Sequence, residues 1–159
     1  MSAELQVEIQ KAVRAPVAPR FLRAVLAAAA EQPEVSDRLL APAPELTVRI
    51  AGDRTLRRLN REFLGEDRPT DVLSFPSGDG TAGYLGDVAV SWPAVVRQAG
   101  EHGHPDEVEL ALLVVHGLLH LLGWDHASSR EEREMTRLTL ACLSRAGIVP
   151  AAGALGNPS

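Results

Sequence analysis

Leu5, Val7 and Ile9 alternate with Gln6, Glu8 and Gln10, and Leu46, Val48 and Ile50 repeat that alternation further along the chain. A period of two predicts half-buried strands at both places. Asp71–Phe75, closed by Pro76, and Tyr84–Ser91 read as two more strands, with the glycine-bearing loop Ser77–Gly83 as a hairpin-type connection. Between the strands the period changes to that of a helix. Pro19–Gln32 carries the stripe Phe21, Leu22, Val25 and Leu26 behind an early proline. Asp53 is placed to cap a helix over Arg54–Leu64, with Leu56, Leu59, Asn60 and Phe63 on its inner face. A short helix starts at Pro93 and fades near Gly100–Gly103. Asp106–Leu122 is apolar nearly all round after Glu109, which predicts a central buried helix. Ser128 or Ser129, with Glu131 or Glu132 three residues on, forms a capping box for a last helix ending near Gly147. Gln32–Pro44 reads as a loop with one turn.

This order of elements predicts a single α/β (α+β) domain over residues 1–150. It has about four strands in a mixed sheet packed with about five helices, and a flexible tail over 151–159. The length of 159 residues suits one core, and 45% hydrophobic with 23% charged residues is ordinary for a soluble protein. There is no apolar signal region or span, so no membrane is expected. Cys142 is the only cysteine, and a cytoplasmic location is the expectation. A net charge of −5 argues against nucleic-acid binding driven by whole-molecule charge, though not against a local basic groove. Lys11 is the one lysine; the other basic residues are arginines, the better partners for bidentate phosphate contacts.

The chemistry concentrates in Val114–His126, VVHGLLHLLGWDH. His116 and His120 are four apart and share a helix face. Gly123 can end the helix in the left-handed conformation and let His126 fold back to the same point. Three neutral imidazoles make an open zinc site whose free position holds water, with a pKa lowered to about 7. Imidazole also suits nickel, copper and iron. A closed structural site is the alternative, and it would need a fourth ligand such as Asp125, Asp87 or His104. Asp71, Asp87 and Asp125 are candidates to orient the ligating rings. His102 and His104 read as surface residues before the metal helix, with a weak second metal contact as their alternative. Trp124 is a candidate for stacking on bases, with core packing as its alternative.

The spacing matches the metzincin protease signature, in which a glutamate general base follows the first histidine. Gly117 stands there instead, so a metallopeptidase would lack its base. Two further stretches, LNREFLGEDRPTDVLSFP (Leu59–Pro76) and LGDV (Leu85–Val88), join HGLLHLLGWDH in resembling the YbeY family of bacterial endoribonucleases, the rRNA maturation factors. The resemblance runs from Ala51 to the end of the last helix. It implies an α/β fold with one zinc ion per chain on His116, His120 and His126. It also implies action on the 3′ end of small-subunit (16S) ribosomal RNA, a part in ribosome quality control, and the small ribosomal subunit with its associated proteins as partners. A metal-activated water would attack the RNA phosphodiester; a non-catalytic zinc-containing assembly factor is the rival. Many members carry an arginine after the aromatic residue of the LN-containing helix. Here Phe63 is followed by Leu64, and Arg61 and Arg68 are the arginines placed to contact RNA in its stead.

Overall fold

The computed structural model describes residues 4–78 and 83–155. Residues 79–82 of the expected hairpin loop, and 156–159 of the expected tail, lie outside the described residues. Among the described residues ten elements follow one another: β1 (Gln6–Lys11), α1 (Pro19–Ala30), α2 (Pro33–Ser36), β2 (Glu45–Ala51), α3 (Asp53–Leu64), β3 (Val72–Pro76), β4 (Tyr84–Ser91), α4 (Trp92–His102), α5 (Asp106–Leu121) and α6 (Ser129–Arg145). The strands form one mixed sheet in the order β1-β2-β4-β3. β1, β2 and β4 run parallel, and β3 pairs antiparallel with β4. The two short, part-polar strands β1 and β3 are therefore the edges, and the apolar strands β2 and β4 are central, as expected of strands covered on both faces.

The main core lies on one face, where α1 and α5 pack over Leu46, Val48, Ile50, Val88 and Val90, and α6 packs against both helices. Ten of the sixteen residues of α5 are buried, which makes it the central helix the pattern predicts. A smaller core lies on the other face, where Leu56 and Leu59 of α3 cover Ala51, Leu73 and Ala89.

Several local details depart from the sequence pattern. Gly52, extended at φ −96° and ψ 172°, caps α3; Asp53 is its first helical residue. The Asp53 carboxylate instead accepts from Arg97 Nη1 at 2.9 Å and from Ser91 Oγ at 2.5 Å, tying α3 to the start of α4. Phe63 does not face the core: it is 64% exposed, and its ring meets that of Phe75 on the edge strand β3, 5.3 Å between centroids. The turn expected in Gln32–Pro44 is the four-residue α2, a sixth helix. At α6, Ser128 is the cap and its Oγ accepts the Glu131 N–H at 3.2 Å.

Candidate metal centre

α5 carries His116 and His120 on one face, with their Nε2 atoms 3.0 Å apart. The helix then stops in a Schellman motif. The Gly123 N–H donates to the His120 carbonyl at 3.0 Å and the Trp124 N–H to the Leu119 carbonyl at 3.1 Å, with Gly123 at φ +100°. That turn brings His126 back beside the helix. The ring centroids of His126 lie 5.8 Å from His116 and 5.0 Å from His120. Ligand atoms of all three rings fall within 4.8 Å of one another, and among the described residues no carboxylate joins that group.

Burial, followed by the charges His120 and His126 would carry, lowers the His116 pKa to about 4. Burial, followed by His126, also lowers that of His120, against smaller opposing effects of Asp125 and a Trp124 backbone hydrogen bond. Both rings are therefore neutral at pH 7 and offer lone pairs. Two nitrogens on one tetrahedral ion sit ~3.3 Å apart at metal–nitrogen distances of about 2.0–2.1 Å, so the pair fits a shared ion. The donor set suits zinc and other first-row ions that accept imidazole.

The three rings line one side of an open cleft of about 570 Å³. The facing wall is the edge strand β3 and its approach, with Thr70, Asp71, Val72 and Ser74; Gly123, Trp124 and Asp125 close the end. Asn60, buried in α3, shapes that approach, because its Nδ2 donates to the Arg68 carbonyl at 3.1 Å and holds the loop after α3 in place.

The aspartates take separate places. Asp71 stays in the cleft and accepts from Gln98 Nε2 at 3.1 Å. Asp125 also lines the cleft and accepts the backbone N–H of His126 at 2.7 Å, bracing the turn. The structure does not bring Asp87 to the triad. Its side chain lies on the opposite face of the sheet, bonded to the Tyr84 hydroxyl with Arg49 4.0 Å away. Neither Arg61 nor Arg68 lines the cleft, and Arg68 pairs with Glu66 at 2.8 Å. Trp124 borders the cleft, but one ring face is covered by the Arg38 guanidinium, 3.6 Å from the ring centroid. Arg38 escaped sequence reasoning because it sits in the unpatterned stretch after α2.

His104 is not a surface residue, its side chain being 5% exposed, and His102 is only partly exposed. His102 Nδ1 and His104 Nε2 lie 2.7 and 2.8 Å from one oxygen of Glu109, itself 1% exposed. These three also form a group with ligand atoms close enough for a metal. Here, however, the Ala151 N–H donates to His104 Nδ1 at 3.0 Å, so the ring's proton sits on Nε2 and points at Glu109. Hydrogen bonds already occupy those donors.

An α/β domain with a solvent-open set of three histidines on a buried helix and its C-terminal turn is the framework of a small metal-binding hydrolase. The Endoribonuclease YbeY family model matches residues 5–147, and the chain belongs to that family. It is 39% identical over 159 residues to the Endoribonuclease YbeY of Roseiflexus castenholzii, covering 92% of this chain and 96% of that one. It is 50% identical over 117 residues to that of Gloeobacter violaceus, covering 69% of this chain but 60% of the relative's length. The solution structure of TM1509 from Thermotoga maritima has the same fold, with a TM-score of 0.57 at 24% identity over 87% of this chain and 90% of that one.

Proposed function

We propose that this chain is a zinc-dependent endoribonuclease that cuts single-stranded RNA and matures the 3′ end of small-subunit (16S) rRNA, with the small ribosomal subunit as its partner in the cytoplasm. The observation that carries the reading is the triad itself: three imidazoles, two of them held neutral, converge at an open cleft, and no fourth protein ligand joins them among the described residues. The relatives' name adds the substrate class.

His116, His120 and His126 would hold the zinc ion, which when bound would lower the pKa of a coordinated water toward about 7 and polarise a phosphoryl oxygen. The chain's own residues do the rest. The buried helix fixes His116 and His120, and the Gly123 turn sets His126. Thr70 and Ser74 present hydroxyl groups along the β3 wall, although Ser74 Oγ donates to the Gly117 carbonyl at 2.9 Å. Asp71 is positioned by Gln98 to accept a proton or a ribose hydroxyl in the cleft. Arg38 and Arg130 border the next recess beyond Trp124, where Asp125, Glu131 and Glu134 balance their charge.

The test is cleavage of a 16S rRNA 3′ fragment, bare and within small-subunit particles, by zinc-loaded protein and by His120→Ala of verified fold. Cleavage by the first alone is expected. Equal cleavage by both would overturn the role of the triad. One zinc per chain with no cleavage of either substrate would make the chain an assembly factor instead.

A further inference from the structure

The sheet face opposite α5 is only half covered. α3 packs on Leu73 and Ala89, and past its last turn a second recess of about 580 Å³ opens. Its walls are aromatic. Phe63 meets Phe75 edge to face, with ring centroids 5.3 Å apart, and Tyr84 joins them. Phe75 and Asp87 are cross-strand partners, so their side chains share this face. The Tyr84 hydroxyl bonds Thr47 Oγ1 at 2.9 Å and the Asp87 carboxylate, and Arg49 lies 4.0 Å from Asp87. The recess therefore has stacking rings at one side and an acceptor and a cation at the other.

Two observations point to its occupant. Leu64, Ser74 and Pro76 border both this recess and the triad cleft, so the two are continuous around the edge strand β3. Phe63 and Leu64 are 64% and 56% exposed side by side at that junction. Adjacent large apolar side chains left in water beside polar groups mark a binding surface. A purely apolar ligand would strand the Arg49–Asp87 pair; a nucleobase has a face for the rings and edge N–H groups for the carboxylate.

We propose that this recess is a base-binding subsite, which takes one unpaired nucleobase of an RNA strand whose backbone passes around β3 into the triad cleft. The inference rests on the endoribonuclease reading above. Phe63 and Phe75 hold the base by stacking, Asp87 accepts from its edge, and Arg49 meets the neighbouring phosphate. A base inside a duplex cannot reach the recess, so the subsite selects single-stranded RNA.

The experiment measures binding of a cleavage-resistant phosphorothioate single-stranded RNA to the zinc-loaded full chain, with an abasic residue moved along the strand. One abasic position is expected to weaken binding about tenfold. Phe63→Ala, at an exposed position that does not hold the fold, is expected to weaken the intact RNA equally and to erase the effect of that abasic position; Phe63→Trp restores it. Asp87→Asn provides a second variant read in the same way. Equal binding at every abasic position, or intact RNA bound by Phe63→Ala as tightly as by the parent, overturns the subsite. In that event cleavage that depends on His120 still stands for the nuclease. Abasic-sensitive binding without any cleavage would keep the subsite and sink the nuclease reading.

Discussion

Gly117 sits so close to Val88 that a Cβ added to it would lie 2.5 Å from Val88 Cγ1 and 3.0 Å from Cγ2. The position after the first histidine thus faces the sheet, not the cleft, and the Gly117 carbonyl accepts from Ser74 Oγ across the same contact at 2.9 Å. A glutamate here could not act as the base of a metalloprotease; it would lever the helix off the sheet. Gly117→Ala is expected to destabilise the protein by about 1–3 kcal/mol through overpacking against a β-branched side chain that cannot swing away. Urea unfolding checks this. Pairing it with Val88→Ala, which removes the opposing methyls, should recover part of the loss; independent, additive losses would refute the contact as the cause.

Acid should weaken the metal-free protein through His116. In the fold its pKa lies at about 4, against 6.5 for an ordinary histidine, because burial and then the neighbouring imidazoles disfavour its charge. Between those values the unfolded chain binds more protons than the native one, so protons pull the equilibrium toward unfolding. Stability should fall as pH drops from about 6.5 to about 4, by up to about 3 kcal/mol for this one group, and the contribution levels off below. Denaturation midpoints of metal-free protein across that range, compared with His116→Gln, measure it. A slope of the same size in the variant would assign the effect elsewhere. Added zinc should raise the midpoint above pH 6 in the parent protein, since an ion that binds only the native state stabilises it.

The triad was legible in the sequence because every step that builds it is local: a four-residue helical spacing, a glycine that can adopt positive φ, and a short return. β1 and β2 were legible as a period of two, β3 and β4 as short apolar runs bounded by turn residues, and the buried α5 as a long segment apolar nearly all round. Asp87 was not. Its place on the far face follows from β4 pairing with β3 in the register Phe75–Asp87, and register is a property of two segments rather than one. Phe63 kept the helical spacing of a core residue, yet it meets the Phe75 ring of the edge strand β3 and stays 64% exposed, and which strand lies under the last turn of α3 is set by tertiary packing. The His102–His104–Glu109 group depends on the turn between α4 and α5, but one signal for it was present. Glu109 is the last of three acidic residues at the head of α5 and the one that abuts its apolar run; a carboxylate there demands a partner, and the nearest donors are the two histidines before it.

Glu109 fastens three parts of the chain at once. Its carboxylate accepts from His102 at the end of α4 and from His104 in the loop, and His104 accepts in turn from Ala151 beyond α6. Glu109→Ala leaves two ring N–H groups near an apolar interior without an acceptor, and a loss of about 2–4 kcal/mol is expected. Glu109→Gln keeps one oxygen acceptor and should cost less. His104→Ala should act mainly at the other end of the relay, releasing the Ala151 amide and the Ala154 and Leu155 side chains that pack beside the core. Hydrogen exchange at Ala151 should then accelerate while α5 stays protected. Metal content provides the control: because hydrogen bonds already occupy this group, His104→Ala should bind as much zinc as the parent, whereas His120→Ala should lose it. Loss of zinc in the His104 variant would show that the second group, and not only the triad, holds an ion.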